Sequence, residues 1–230
     1  MPDRPYTLLS CGISIDGYLD TATDERLLLS NDADLDRVDA VRADSDAILV
    51  GAATVRNDNP RLLVRASARR AGRAARGLPP TPIKVTVTSR ARLDPRANFF
   101  VTGDSEKLVY CPGDAVAEAR FRLGAVATIV DGGRRVDMCR MSEDLHVRGV
   151  RRLMVEGGGT VHTQFLTAGL ADELHLVVAP FFVGDSRAPR FVGDGSFPWN
   201  PDCHARLADV RRIGDVVLLR YALSERFCQD

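Results

Sequence analysis

Short apolar runs rich in β-branched residues recur along this chain, with longer stretches of helical period between them. That alternation restricts the fold more than any other feature. Strand-like runs fall at residues 7–14, 47–51, 83–88, 107–111, 127–130, 152–155 and 174–179, and helical segments at 32–42, 114–123, 136–147 and 161–168. Parallel strands need a crossover of helix length, so strands and helices that alternate predict a mostly parallel sheet with helices packed on it. The first helix is expected to be capped by Asn31 or Asp32 and to bury Leu35, Val38 and Val41, which lie about one turn apart. The pattern changes near the end, where 206–213 and 216–223 are two strand-like runs joined by Gly214-Asp215, a pair suited to a tight hairpin. The expected fold class is therefore α/β: a mostly parallel central sheet closed by an antiparallel C-terminal hairpin.

The length of 230 residues, with 45% hydrophobic and 27% charged content, suits one globular domain, 1–230. Basic and acidic residues number 31 each, so no net field gathers nucleic acid or an anionic membrane, and the expected partner is a small molecule. Cys11, Cys111, Cys139, Cys203 and Cys228 are scattered with no C-x-x-C pair. That argues against a disulfide framework or zinc cluster and for a reducing, cytoplasmic setting. The first apolar stretch meets Asp16 and Gly17 too early for a signal peptide or membrane span, so neither is expected. His146, His162, His175 and His204 are too far apart for an H-E-x-x-H metal site, and no G-x-S-x-G elbow marks a serine hydrolase.

The densest chemical signal is Val155-Glu156-Gly157-Gly158-Gly159-Thr160, a buried strand ending in a carboxylate that runs through three glycines into a helix. Successive glycines leave backbone N–H groups uncovered, and the following helix contributes its positive end, an arrangement that suits a diphosphate. A purely structural turn would use the same glycines, and His162 stands where the dinucleotide fingerprint needs its last glycine. Glu156 favours the ligand reading, because open α/β sheets bind ligands at the C-terminal ends of their strands. Residues 51–62 form a second constellation, read as a short loop that packs Thr54, Arg56, Asp58, Asn59 and Arg61 after a strand. Those groups either shape the turn around Asn59-Pro60 or read a ribose and a phosphate. Ser14-Ile15-Asp16-Gly17 and Thr88-Ser89-Arg90 also follow strands. A hydroxyl with a guanidinium suits the adenosine 2′-phosphate of NADPH, but on these residues alone a plain capping turn is the preferred reading of Thr88-Ser89-Arg90. The Arg-rich tract 65–82 is read as a surface loop, solvated rather than phosphate-binding despite Arg69, Arg70, Arg73 and Arg76. Residues 181–201, rich in Gly, Pro, Asp and aromatics, are expected to be a long ordered loop covering a site or a partner surface.

In this order and spacing, residues 14–17, 50–62 and 155–160, with Ala179-Pro180 and Arg187-Ala188-Pro189, resemble the pyrimidine reductase family of riboflavin biosynthesis. That family includes the C-terminal half of the bifunctional bacterial deaminase-reductase and stand-alone archaeal and fungal enzymes, and the chain is most similar to the stand-alone type. The resemblance implies a dihydrofolate-reductase-like fold, a homodimer, and NADPH-dependent reduction of the ribosyl group of a ribosylaminopyrimidine 5′-phosphate to ribityl. It implies that Thr54, Asp58, Thr88, Ser89, Arg90, Gly157, Gly158, Gly159 and Thr160 hold NADPH. Arg42, Asn59, Leu62 and Arg65 would bind the phosphorylated pyrimidine, with Glu156 and Asp16 as the catalytic carboxylates and no metal. Two positions depart from the family: Ser10 replaces a lysine usual in the bifunctional enzymes, and Tyr18 replaces a basic or small residue. No zinc-deaminase motif is present, so deamination is not expected of this chain. Two rival readings share the fold: reduction of a pterin or related heterocycle, and a non-catalytic NADPH-binding regulator.

Overall fold

The computed structural model describes residues 3–23 and 27–227; Cys228 lies outside them. The chain divides into two compact units, one of Met1–Pro5 with Asp39–Met154 and the other of Tyr6–Val38 with Val155–Asp230.

The first unit carries strands β2 (Ala47–Gly51), β3 (Ile83–Val87), β4 (Lys107–Cys111) and β5 (Thr128–Asp131) and the start of β6 (Arg152–Gly157), in the order β5-β4-β3-β2-β6. The pairs β2–β3, β3–β4 and β4–β5 are all parallel, with Ala47 opposite Ile83 and Val85 opposite Leu108. Every residue of β2 is buried, which is why its sequence is a continuous apolar run rather than an alternating one. Its helices are α2 (Ala52–Asp58), α3 (Ser67–Ala75), α4 (Asn98–Val101), α5 (Val116–Leu123) and α6 (Met138–Val147). One core cluster gathers Ile48, Val50, Val55, Leu62, Phe99 and Leu123. Asp137 caps α6 by accepting hydrogen bonds from the Cys139 and Arg140 amides, so that helix begins two residues later than its apolar period suggests.

The second unit carries β1 (Tyr6–Ser14), the end of β6, β7 (Glu173–Ala179), β8 (Arg206–Ile213) and β9 (Val216–Ala222), in the order β6-β1-β7-β9-β8. β1 and β7 are parallel, whereas β9 runs antiparallel to both β7 and β8. The expected hairpin forms around Gly214, whose φ of 64° lies in the left-handed region. Helix α7 (Gly159–Thr167) follows β6, and α1 (Asp32–Ala43) begins in this unit and ends in the other. Asn31 is the cap of α1: its side-chain oxygen accepts from the Asp34 amide at 2.9 Å while its amide donates to Ile213 O at 2.7 Å.

The expected fold class is therefore observed, with three local corrections. Within 65–82 only the ends are loop: Ala and Arg have high helix propensity and build α3 over Ser67–Ala75, leaving 76–82 as turn and coil. Its Arg73 is 1% exposed and donates to the Pro79, Ala43 and Ser45 carbonyls, so it closes the helix onto its surroundings and is not a phosphate ligand. Residues 52–58 are likewise a helix, not part of a loop. On α1 the buried positions are Asp34, Asp39 and the terminal Ala43, with Leu35, Val38 and Val41 only half-buried. Polar groups are tolerated there because Asp34 pairs with Arg37 at 2.7 Å and Asp39 binds loop amides.

Candidate active site

In the second unit the sequence motifs sit at strand ends. β1 finishes at Ser14, whose hydroxyl donates to Asp16 Oδ1 at 2.6 Å and whose Oγ accepts the Tyr18 amide at 3.1 Å. The same Asp16 carboxylate accepts the amides of Val183 at 3.0 Å and Gly184 at 2.8 Å. Partial desolvation alone would raise its pKa, but the Ser14 hydroxyl and the two amides hold it down to about 2. Near neutrality Asp16 is an anion already occupied by donors, better suited to anchoring the 181–184 loop and accepting a hydrogen bond than to delivering a proton.

β6 ends at half-buried Glu156 and buried Gly157. Gly158 has φ 89°, where an L side chain is strained. A Cβ on Gly159 would run into the Arg190 carbonyl oxygen. These two glycines are therefore dictated by local geometry, and the turn delivers the chain into α7 with its first amides at the C-terminal end of β6. Segment 187–193 packs on that turn and on the turn after β1: the Gly193 amide donates to Thr163 Oγ1 at 2.9 Å and the Phe191 amide to Gly17 O at 3.2 Å. His162, in the first turn of α7, is fully buried against Phe191 with ring centroids 5.3 Å apart. Among the described residues neither of its ring nitrogens has a hydrogen-bond partner, and burial pushes its pKa down to about 4, so near neutrality it is an uncharged ring.

In the first unit, Gly51 ends β2 and α2 carries half-buried Thr54 and exposed Asp58. The next residue, Asn59, ends α2 in the left-handed conformation at φ 45°. Its side-chain oxygen accepts the Asn98 amide at 2.7 Å and its carbonyl accepts Asn98 Nδ2 at 3.2 Å, which ties the end of α2 to the start of α4. Leu62 also has positive φ, 48°, and its side chain is 3% exposed within the core cluster. A hollow of about 240 Å3 beside these elements is lined by Val55, Arg56, Asn59, Leu93, Asp94, Arg96 and Ala97.

Asp39, on α1, organises the segment that follows. It accepts the Arg65 amide at 2.5 Å, the Ala66 amide at 3.1 Å and the Arg69 guanidinium at 2.9 Å. Burial works to raise its pKa, but the Arg65 and Ala66 amides and Arg69 together hold it below the usual range. The Arg65 side chain stays exposed, 3.7 Å from the same carboxylate, and Arg42 donates to Leu63 O at 3.3 Å. After β3, buried Thr88 accepts the amides of Arg90 at 3.4 Å and Ala91 at 3.1 Å, so its hydroxyl shapes the turn. Ser89 and Arg90 are exposed, and Arg90 has no carboxylate partner among the described residues.

Of the residues singled out from sequence, Asp16 and 156–160 thus belong to the second unit, and Arg42, Thr54, Asp58, Asn59, Leu62, Arg65 and 88–90 to the first. Sequence reasoning missed Asp39, Asn98 and Arg190. A carboxylate on the buried side of an amphipathic helix was the available signal for Asp39; Asn98 and Arg190 had none, because each acts through a segment distant in sequence.

A search of family models matches residues 5–219 to the RibD C-terminal domain. Among curated proteins, the chain is 35% identical over 225 residues to a 2,5-diamino-6-ribosylamino-4(3H)-pyrimidinone 5′-phosphate reductase of Archaeoglobus fulgidus, covering 97% of this chain and 99% of that protein. Among solved structures, it matches a pyrimidine reductase-like protein of Corynebacterium diphtheriae with TM-score 0.79 and 21% identity, over 95% of this chain and 91% of the other. It also matches a deaminase/5-amino-6-(5-phosphoribosylamino)uracil reductase of Thermotoga maritima with TM-score 0.75 and 19% identity, over 95% of this chain but 56% of that one. At these identities the structural matches speak for the fold.

Proposed function

Because the chain belongs to the RibD C-terminal domain family, we propose that it reduces the ribosyl group of a ribosylaminopyrimidine 5′-phosphate to ribityl with NADPH. The reading is carried by the corner at residues 155–160: a half-buried carboxylate at a strand end, then a turn that geometry restricts to glycine, opening into the first amides of α7. The donors present fit a dinucleotide phosphate. Backbone amides follow Gly158, and the exposed Ser89 hydroxyl and Arg90 guanidinium stand on a turn that Thr88 holds in shape.

Thr54, Asp58, Thr88, Ser89, Arg90 and Gly157 to Thr160 would hold NADPH, which when bound supplies the hydride that reduces C1′ of the sugar. The protein's task is alignment and exclusion of water. Glu156 accepts a ribose hydroxyl and so fixes the sugar. Asp16, already ionised, holds the 181–184 loop and accepts one further hydrogen bond from the substrate. Arg42 and Arg65 favour a phosphorylated substrate, Leu62 backs the segment from within the core, and Asn59 ties α2 to α4. A cytoplasmic homodimer, with the whole chain acting as one reductase domain, completes the proposal. Among the described residues no helix is long and apolar enough to cross a membrane, and no group of three metal-ligating side chains is assembled.

Substrate-dependent oxidation of NADPH by purified protein tests the reading. Turnover with the ribosylaminopyrimidine phosphate supports it; turnover with dihydrofolate alone, or NADPH binding with no turnover, overturns it in favour of a pterin reductase or a regulator. Arg90→Ala is expected to weaken NADPH about tenfold and NADH hardly at all. Equal loss for both cofactors would remove Arg90 from the 2′-phosphate.

A further inference from the structure

Arg190 stands out in the loop between β7 and β8. Arg187, three residues earlier, lies against Asp185 at 2.8 Å, the usual arrangement for an exposed arginine. Arg190 is also exposed but has no carboxylate partner among the described residues. Its guanidinium covers the Tyr18 ring at 4.5 Å and donates through Nη2 to the Tyr18 hydroxyl at 2.9 Å. Tyr18 is itself 4% exposed, so the platform under the guanidinium is rigid. The backbone is fixed as well: Tyr18 and Arg190 form an isolated antiparallel bridge, and the Leu19 amide donates to Pro189 O at 2.8 Å. On its other side the Arg190 carbonyl lies against Gly159, where only a glycine fits.

A long cationic side chain normally keeps its rotamer freedom at a surface. Here ring, hydroxyl and bridge hold it, and among the described residues its remaining N–H donors meet neither a carboxylate nor a carbonyl. The nearby carboxylate of Asp16 is occupied by Ser14, Val183 and Gly184. A planar donor fork of this kind matches two oxygens of a phosphate. Its position joins the turn after β1 to the turn after β6, the two corners of this unit at which a ligand of an α/β sheet would be met.

The geometry points to Arg190, held by Tyr18, as a binding residue for a phosphate group, either the monoester of a phosphorylated substrate or a phosphate of the dinucleotide. The inference rests on the proposed function for the choice between those two sources, but not for the phosphate itself. Calorimetric titration of the full chain with NADPH and separately with ribose 5-phosphate tests it, using wild type, Arg190→Met, Arg190→Lys and Tyr18→Phe. Arg190→Met should weaken one of the two ligands about tenfold; Arg190→Lys should recover part of the loss, and Tyr18→Phe should show a smaller loss for the same ligand. Loss confined to ribose 5-phosphate identifies the substrate monoester, and loss confined to NADPH identifies the dinucleotide. Unchanged affinity for both ligands in Arg190→Met, with its melting temperature intact, overturns the inference even where wild-type NADPH binding upholds the reductase reading. Arg190-dependent binding of ribose 5-phosphate by a protein that ignores NADPH would leave the inference standing while the reductase reading fails.

Discussion

The corner after β6 and the corner after β2 present their candidate ligand groups in opposite ways. After β6, side chains are removed: Gly158 turns the chain at φ 89° and Gly159 leaves room for the Arg190 carbonyl, so the turn is formed by backbone alone. After β2, side chains are kept and the backbone is strained to suit them. Asn59 and Leu62 hold positive φ without being glycine, stabilised by the Asn98 clasp and by burial in the core. The first corner is specified by absence and tolerates no added atom. The second is specified by compensation, so its cost is spread over several contacts.

Replacing the acid beside the glycines separates chemistry from binding at the first corner. Glu156→Gln should lower turnover about 100-fold while the NADPH dissociation constant, read by fluorescence titration, stays within about threefold. A similar loss in both would mean that the carboxylate builds the cofactor site instead. Gly159→Ala should cost about 1–3 kcal/mol in urea unfolding, because neither the Arg190 carbonyl nor the turn can easily yield. At the second corner, Asn59→Ala should cost about 1–2 kcal/mol, and Asn59→Gly roughly the part owed to the lost cap. If Gly were as damaging as Ala, the left-handed backbone would not be what Asn59 accommodates.

The smallest effect concerns His162. Its folded pKa of about 4 lies below the 6.5 of an unhindered histidine, so between those values the unfolded chain binds the extra proton. Its contribution to stability is therefore complete above pH 6.5 and is lost as pH falls toward 4. His162→Phe removes two unpartnered buried nitrogens. It should raise the stability by up to about 1 kcal/mol at neutral pH and flatten the acid limb of a pH series of melting temperatures. An unchanged acid limb would show that the ring is solvated.

Much of the fold was legible because burial writes itself into period. The fully buried β2 reads as an unbroken apolar run, and the C-terminal pair was marked by Gly214-Asp215 at the hairpin turn. The helix over 67–75 was hidden by composition: an Arg/Ala/Gly tract looks solvated, and burial of Arg73 depends on carbonyls of residues 43 and 45, 30 and 28 positions away. The expected apolar face of α1 failed for a related reason, since Asp39 is buried by amides that only the folded 65–66 segment supplies. In the candidate site, the strand-end motifs could be read directly from residue order, because carboxylates, glycines and hydroxyls at such ends are local features. Their supports could not, because Asn98 for Asn59 and the Val183 and Gly184 amides for Asp16 come from elsewhere in the chain.

Hydride transfer to the sugar is decided by incubating the protein with NADPH carrying deuterium at the transferable position of its nicotinamide, together with the ribosylaminopyrimidine 5′-phosphate, and locating the label in the product by mass spectrometry. One deuterium on the former C1′ of a ribityl chain is the predicted result. A product with no label, or label found only on a pterin offered in competition, would contradict it.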